Sequence, residues 1–418
     1  MQGPSERPRL LCPPRLRTLE GDGLAGARHA SWLELFYDLV FVVIVAELAH
    51  KLEGRVSWPG VAAFAALFVP VWWCWVGTTF YADRFDTDDL VHRLATAVQM
   101  VAVGVMALNV HDGLGSSSTG FAAGYVAVRI VLVVLYLGAR ASEPATRSLT
   151  SYYSAGFAIA AAFWLASIFV LAPVRFVLWG VGLAVDFGTP LSSRHLQVRA
   201  PLDASHLPER FGLFTIIVLG EAVVSVVQGI AGQEWRVASA TVAALGFTVA
   251  FTLWWIYFDN VEESAIRRLR TAGQIWLYAH LPLVMSIVAL GVGVEHAILT
   301  NRGALPDAER WLLCGAMALG MTAMGAVHLA SLTTTAALRC EVKARYRFGG
   351  AVAALAVGVV GAGWGPLPVM LSLAAIGTLQ VVSDVLGRDD LAHHAGQADR
   401  ALPDGAADLD ETAFDRPR

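Results

Sequence analysis

Charged residues are scarce in this chain. Asp, Glu, Lys and Arg together make up 15% of its 418 residues, whereas an average soluble domain carries about 25%. Hydrophobic residues make up 56% of the sequence, and its mean hydropathy is positive. This composition excludes an ordinary soluble globular protein and predicts an integral membrane protein with the lipid bilayer as its partner.

Basic clusters, catalytic motifs and paired cysteines are also missing. The isoelectric point is near 6.3 and no basic stripe runs along the chain, so no nucleic-acid partner is predicted. Because no His-Glu-x-x-His pair, phosphate-binding loop or serine nucleophile elbow occurs, the sequence predicts no catalytic residues, no metal and no cofactor. The four cysteines lack metal or disulfide spacing and are predicted to be free thiols.

Long apolar segments are what the chain has in abundance. Each is roughly 18 to 22 residues long, which is enough for a helix to cross the hydrocarbon core of a bilayer. The segments lie at 31–52, 59–81, 91–111, 119–139, 152–171, 174–190, 208–231, 237–258, 272–294, 309–330, 347–363 and 365–384. We therefore predict an all-α polytopic membrane protein of about twelve transmembrane helices, with ten or eleven as the alternative because the sixth segment contains Asp186 and the last two are short.

The distribution of Lys and Arg predicts the orientation. If the N-terminus lies inside, the inside segments carry 23 of the 30 basic residues and the outside loops carry six. Cytoplasmic loops of membrane proteins are enriched in Lys and Arg, so both termini are predicted to be cytoplasmic. Residues 1–30 would then form an Arg- and Pro-rich cytosolic leader, 191–207 a cytosolic linker, and 388–418 an acidic, disordered cytosolic tail.

The two halves of the membrane part, residues 31–190 and 208–387, resemble each other. In each half the first segment has a Glu two residues before a Phe, and a second Glu ten or eleven residues after that Phe. In each half the second segment ends with a Trp pair followed by an Asp. These matches predict two six-helix repeats, which would share one orientation as in parallel-repeat transporters.

Several sequence blocks resemble the bacterial low temperature requirement A family. They are Glu34-Leu-Phe-Tyr-Asp38-Leu-Val-Phe, Trp72-Trp73 through Asp83-Arg84-Phe, Glu209-Arg210-Phe-Gly-Leu-Phe-Thr-Ile-Ile-Val-Leu-Gly220-Glu221, and Trp254-Trp255 with Asp259 and Tyr278-Ala-His280. Together they span residues 30–385, nearly the whole membrane part. The resemblance implies a multi-pass protein of the bacterial inner membrane that is linked to growth in the cold, and it implies no particular biochemical activity.

Glu221 and Arg129 are the charges predicted to lie deepest in the bilayer, because each lies well inside an apolar segment. A charge at the bilayer centre costs roughly 2.5–3.5 kcal/mol on insertion scales, and it usually faces the bundle interior or a hydrated path. Two interpretations are open: a structural ion pair between them, or an Arg129 that tunes a Glu221 which binds protons or substrate. Glu47 and Asp186 are the alternative partners of Arg129.

Six other ionisable side chains are candidates for a proton or substrate path: Glu34, Asp38, Glu47, His280, Asp83 and Asp259. Glu34 and Asp38 are four residues apart and so share a helix face, where they line an inner vestibule or reach headgroup water. Glu47 lies close to the outer interface. His280 precedes Pro282, where a kink is expected. Asp83 and Asp259 close their segments at the cytosolic side, as helix caps or as part of the path.

The Trp pairs 72–73 and 254–255 lie too deep for a simple aromatic belt at the headgroups. Packing of Trp72, Trp73, Trp254 and Trp255 between the repeats is the first interpretation. Stacking on an aromatic or cationic substrate is the second.

Three functions fit these features. The buried carboxyl groups favour a secondary transporter or permeation-path protein for an unknown small solute or ion, with proton coupling. A membrane-embedded enzyme acting on a lipid or amphiphile is the alternative, and a non-catalytic sensor or scaffold that signals through the acidic tail is the third.

Overall fold

The fold is a bundle of long helices. A computed structural model describes residues 13–16, 30–86, 89–198, 200, 202–203, 206–231, 236–261, 265–266, 272–300, 303–332 and 337–400. The first half contains α1 (Trp32–Glu53), α2 (Trp58–Arg84), α3 (Leu90–Asn109), α4 (Ser118–Ser142), α5 (Arg147–Ser167), α6 (Val174–Ser192) and the short α7 (Arg194–Gln197). The second contains α8 (His206–Ala231), α9 (Val237–Val261), α10 (Ala272–Leu299), α11 (Asp307–Ala330), α12 (Ala337–Val360) and α13 (Pro366–Arg400).

Each of the twelve predicted segments coincides with a long helix, and the all-α polytopic fold is confirmed. Of the helices in the described ranges, ten are long and apolar enough to cross a membrane by length and composition, and α1 and α12 are not among them. The reason is charge: α1 carries four acids and Lys51 within its length, and α12 begins with a stretch rich in Arg and Lys. The acids of α1 therefore need partners within the bundle.

The predicted leader and the predicted tail lie only partly within the described residues. α13 continues to Arg400, so the first part of the predicted disordered tail, residues 388–400, is helical. No proline occurs between Pro368 and Pro403, and residues 388–400 include Leu and several Ala, which favour a helix. Residues 401–418 and most of the predicted leader lie outside the described residues.

Four short strands form two antiparallel pairs. β1 (Arg15–Leu16), which belongs to the leader, pairs with β2 (Phe85–Asp86) directly after α2. β3 (Ala265–Ile266), after α9, pairs with β4 (Ser331–Leu332), after α11. The pairs join chain segments at the ends of helices, where backbone groups freed from the helix need partners.

Helix α10 lies at the centre of the bundle. It packs against α1, α2, α8, α9, α11 and α13, and it is the most buried of the ten candidate spans. Helix α1 of the first half packs against α8 and α10 of the second half. The two halves are therefore joined along α1.

Within each half the helices pack in the same order. The first half has the contacts α1–α2, α1–α3, α3–α4, α4–α5 and α5–α6, and the second has α8–α9, α8–α10, α10–α11, α11–α12 and α12–α13. This shared series is what two six-helix repeats would produce, but the α2–α4 contact is a feature of the first half and the α9–α10 and α9–α13 contacts are features of the second. The repeat itself stays a prediction.

Helices α1 and α8 run in the same direction. Asp38 contacts Arg210 near the start of both helices, and Phe41 contacts Phe214 one turn further along. We call the side of the bundle where α1 and α8 begin the leader end, and the opposite side the far end.

The contact between α8 and α10 depends on Gly291. A Cβ atom built on Gly291 would lie 2.8 Å from the Cα of Ala222 and 3.2 Å from its Cβ. Because the obstacle is backbone, the helices can approach this closely only if residue 291 has no side chain. Small residues that allow close backbone approach are typical of helix contacts in membranes.

We expect Gly291→Ala to lower the thermal unfolding temperature of the detergent-solubilised protein. Overpacking costs about 1–3 kcal/mol, which exceeds the roughly 1 kcal/mol that Ala contributes over Gly within a helix. Gly220→Ala on α8 is the matched control, since a Cβ atom there meets nothing within 4 Å, and it is expected to leave the unfolding temperature unchanged or higher. A Gly291→Ala protein as stable as the control would contradict the close approach of α8 and α10.

Candidate functional site

Five ionisable side chains meet between α1, α2 and α8 at the leader end. They are Glu34 and Asp38 on α1, Asp83 on α2, and His206 and Arg210 on α8, and all five are buried. We call this group the Arg210 cluster. It brings together three of the residues predicted from the sequence, Glu34, Asp38 and Asp83.

Arg210 lies between two carboxyl groups of α1. Its Nη2 donates to Asp38 Oδ1 at 2.7 Å, and its Nη1 lies 3.1 Å from Glu34 Oε1. The other oxygen of Glu34 accepts from the backbone N–H of Ser31 at 2.8 Å, which completes a capping box at the start of α1. Glu34 therefore caps its helix and pairs with Arg210 at the same time.

Asp38 has the more demanding environment because its side chain is fully buried. Its Oδ1 accepts both from Arg210 and from Trp75 Nε1, the latter at 2.7 Å. Its Oδ2 has no hydrogen-bond partner among the described residues. The carboxyl group thus retains an unused acceptor in a place closed to bulk water.

Asp83 and His206 connect α2 to the start of α8. The His206 Nδ1 lies 2.9 Å from Asp83 Oδ1, and Asp83 Oδ2 accepts from the backbone N–H of Asp203 at 2.9 Å. The His206 Nε2 lies 3.7 Å from Glu34 Oε1. At the end of α2, Asp83 therefore accepts a backbone hydrogen bond from the chain before α8 and also belongs to the Arg210 cluster.

A small polar pocket opens beside the cluster. It is lined by Leu33, Glu34, Tyr37, Thr78, Thr79, Ala82, His92, Thr96 and Arg210. Tyr37 Oη donates to Thr78 Oγ1 at 3.0 Å. The hydroxyl groups of Thr79 and Thr96 are buried and have no hydrogen-bond partner among the described residues. At about 10 Å³ the pocket has room for about one water molecule, which the unused hydroxyl groups can bind.

Apolar side chains fill the seam between α1 and α8 beyond the cluster. The ring of Phe41 lies 6.4 Å from that of Phe214, and Phe214 stacks on Trp75 at 4.3 Å. Ile44, Val45 and Leu48 continue this buried stripe along α1. Ionisable groups return near the far end.

Glu221 lies beyond this apolar layer, on α8, and is 7% exposed. Its electrostatic neighbours are His50 of α1 and Glu295 of α10. Glu295 is buried, and Glu53 at the end of α1 is another of its electrostatic neighbours. Glu221 thus faces a second group of carboxyl residues and does not face Arg129.

Arg129 pairs with Asp186, so the predicted Glu221–Arg129 pair is replaced by the alternative partner. The Arg129 Nε lies 3.2 Å from Asp186 Oδ2, and both side chains are fully buried. Tyr125 Oη donates to the same Asp186 oxygen and accepts from Arg129. The pair joins α4, which carries Arg129, to α6, which carries Asp186, within the first half. Tyr125 lies four residues before Arg129 and therefore on the same face of α4.

Glu47 and His280, two further candidates for the proton or substrate path, lie in different surroundings. Glu47 is half-buried on α1 and is not part of the Arg210 cluster. The ring of His280 is fully buried between Phe211 and Trp276. Its Nδ1 lies 2.7 Å from Trp276 O and its Nε2 lies 3.1 Å from Tyr257 Oη. Both ring nitrogens are therefore used, which favours a structural role.

Asp259 lies near a third set of charges at the leader end. It is an electrostatic neighbour of Arg347, which pairs with Asp384 and donates to Gln380 Oε1 at 2.7 Å. These contacts join α12 to α13. They do not bring Asp259 into the Arg210 cluster.

The two Trp pairs differ in their exposure and in the helices that their rings contact. Trp72 and Trp73 are buried, and Trp73 stacks on Phe187 of α6 at 4.1 Å and on Tyr278 of α10 at 6.0 Å. This supports packing between the halves. Trp254 is 41% exposed, and the ring contacts of Trp254 and Trp255 are with residues of their own helix, α9.

Sequence reasoning missed three important residues. The orientation argument assigns Arg210 to the inside segment before α8, although it stands in the Glu-Arg-Phe block at the start of an apolar run. His206 had no recognised signal. Glu295 follows directly after the predicted end of its segment at residue 294, and α10 continues to Leu299. Segment ends drawn from hydropathy alone exclude charged residues that remain inside the helix.

Comparison with known proteins gives two matches. The family model described as bacterial low temperature requirement A protein (LtrA) matches residues 29–383. The uncharacterized protein RA0937 of Rhizobium meliloti (strain 1021) is 30% identical over 285 residues, which covers 64% of this chain and 69% of that relative. The family match contains every residue of the Arg210 cluster.

We expect Asp186→Asn to destabilise the protein strongly. Breaking a buried ion pair on one side costs about 3–5 kcal/mol because the other charge stays buried without compensation. Thermal unfolding in detergent, followed by tryptophan fluorescence, measures the loss. The double variant Arg129→Met with Asp186→Leu is the control and should regain most of the lost stability. An Asp186→Asn protein as stable as wild type would show that the pair is not structural.

Proposed function

The chain belongs to the bacterial low temperature requirement A family, and from this premise we propose that it is a proton-coupled secondary transporter or permeation-path protein for a small solute or ion. We place it in the bacterial inner membrane with both termini in the cytoplasm, since the basic residues concentrate in the segments on that side.

One observation carries the proposal. Buried ionisable side chains lie at two depths along the seam that joins the halves, with an apolar layer between them. The Arg210 cluster lies at the leader end, and Glu221 and Glu295 lie toward the far end. Ionisable groups inside a membrane are costly, and they mark substrate paths and proton relays in pumps and transporters.

The ion pairs of Arg210 cross from one half to the other. Arg210 belongs to α8, while Glu34 and Asp38 belong to α1. Separating the halves at the leader end would leave buried charges without partners, which costs several kcal/mol. The ion pairs of Arg210 therefore keep the leader end closed until the charge of Glu34 or Asp38 is neutralised or replaced.

Protonation of Asp38 supplies such a replacement. Once neutral, the carboxyl group no longer attracts Arg210 by charge, although it can still form hydrogen bonds. Arg210 is then free to turn toward the neighbouring pocket, where Thr79 and Thr96 present unused hydroxyl groups. A polar solute that enters the pocket as the leader end opens would satisfy these groups, and this links proton uptake to solute binding.

We expect Asp38→Asn to abolish proton movement by the reconstituted protein. Purified protein is inserted into liposomes loaded with pyranine, a potassium gradient with valinomycin sets the membrane potential, and proton uptake is followed by pyranine fluorescence. Wild type should exceed protein-free liposomes, while Asp38→Asn should match them because the residue no longer exchanges a proton.

Glu143→Gln is the control, since Glu143 lies after α4 at the leader end and outside the cluster. Size-exclusion chromatography checks that each variant is folded. Wild-type proton uptake in a folded Asp38→Asn protein would overturn the role given to Asp38. Wild-type uptake no greater than in protein-free liposomes would overturn proton coupling.

A further inference from the structure

We propose that the buried guanidinium group of Arg84, at the leader end of α2, binds a small monovalent anion such as chloride or formate. The site is built by Phe80, Tyr81 and Arg84 of α2, Tyr136 of α4 and Tyr153 of α5, and we call it the Arg84 cage. The proposal does not depend on the proposed transport function.

Arg84 is the exception among the fully buried arginines of the described residues. The others each form an ion pair with a carboxyl group, as in Arg129–Asp186, Arg210–Asp38 and Arg347–Asp384. Arg84 is 1% exposed, and it forms no ion pair with any described residue. A buried charge without a counter-charge is strongly destabilising. Arg84 therefore needs an anion that the described part of the chain does not supply.

The carboxyl group next to Arg84 along the chain is used elsewhere. The Oδ1 of Asp83 lies 2.9 Å from His206 Nδ1, and its Oδ2 accepts from the backbone N–H of Asp203. Arg84 Nε donates to the backbone oxygen of Ala200 at 3.3 Å, which orients the guanidinium group but supplies no negative charge. Arg84 Nη1 has no hydrogen-bond partner among the described residues.

Contacts with aromatic rings do not take the place of an anion in this fold. The guanidinium carbon of Arg84 lies 5.6 Å from the ring centre of Phe80 and 5.5 Å from that of Tyr153, which are attractive cation–π distances. Arg129 also has two ring contacts, at 5.0 and 5.4 Å, and it still pairs with Asp186. By this comparison the two rings around Arg84 leave its charge to be balanced by a bound anion.

Tyr81 supplies a second donor. Its hydroxyl group is buried and has no hydrogen-bond partner among the described residues. Tyr81 lies three residues before Arg84 on the same face of α2. Its ring lies 5.1 Å from that of Tyr136, which lies 5.3 Å from that of Tyr153. Two donors with one positive charge suit a monovalent anion, because a divalent anion would leave a negative charge next to Asp83.

The cage is covered by short segments at the leader end. Arg84 is the last residue of α2, and β2 follows it directly and pairs with β1. Leu16 of β1, Leu196 of α7 and Ala200 pack against the aromatic group that contains Tyr81. An anion from the solution at the leader end therefore reaches Arg84 past these segments and does not have to cross the bilayer.

Thermal unfolding of the full-length protein in detergent tests the site. Unfolding is followed by tryptophan fluorescence in sodium gluconate, sodium chloride or sodium formate at equal ionic strength. An anion that binds only the folded protein stabilises it, so the unfolding temperature of wild type should rise, with saturation, as chloride or formate replaces the bulky gluconate. A saturating rise with either ion supports the site, and the ion that acts at the lower concentration identifies a preference for a halide or a carboxylate.

Arg84→Met should lose this rise because it removes the positive charge. Tyr81→Phe should need about tenfold more anion for the same rise, which is the usual effect of losing one hydrogen bond to a charged group. Arg140→Met is the matched control, because Arg140 is exposed near the end of α4 at the leader end, and it should keep the wild-type rise.

Three results would overturn the anion site: no saturating rise in wild type, an equal rise in Arg84→Met, or wild-type anion dependence in Tyr81→Phe. If Arg84→Met does not fold, the comparison of Tyr81→Phe with wild type decides.

Discussion

The Arg210 guanidinium group lies between the carboxyl groups of Glu34 and Asp38, and the junction of the two halves depends on this contact. A buried cation must have an anion close by, because the low-dielectric interior offers no water to take its place. Trp75 donates to the same Asp38 oxygen, so α2 joins the contact between α1 and α8. The single arginine thereby fixes the relative position of three helices.

Two other buried ion pairs each lie within one half. Arg129 and Asp186 join α4 to α6, and Arg347 and Asp384 join α12 to α13. A pair within one half moves as a unit if the halves move, so it stabilises that half without opposing the motion. The pairs of Arg210 cross between the halves and must break or change partners. This difference separates the ion pairs that hold one half together from those that hold the two halves to each other.

Much of the fold could be predicted from the sequence. The apolar segments predicted the long helices because hydropathy reports which residues a bilayer accepts. The block around Glu209, Arg210 and Glu221 singled out α8, and the spacing of Glu34 and Asp38 predicted that they share one face of α1. The partner of Arg129 was not predictable, because Asp186 and Glu221 lie in different helices and periodicity does not report which helices become neighbours.

Composition over about 20 residues is enough to predict that this chain forms a bundle of membrane-spanning helices and which of these helices carry charge, since both properties are local. How those charges pair follows from the packing of the helices. That packing placed Arg210 against Asp38, 172 residues away along the chain, and Glu221 near Glu295. The physical reason is that a buried charge takes its partner from whichever helix packs beside it, and this choice depends on the shape and close approach of whole helices, such as α8 and α10 at Gly291.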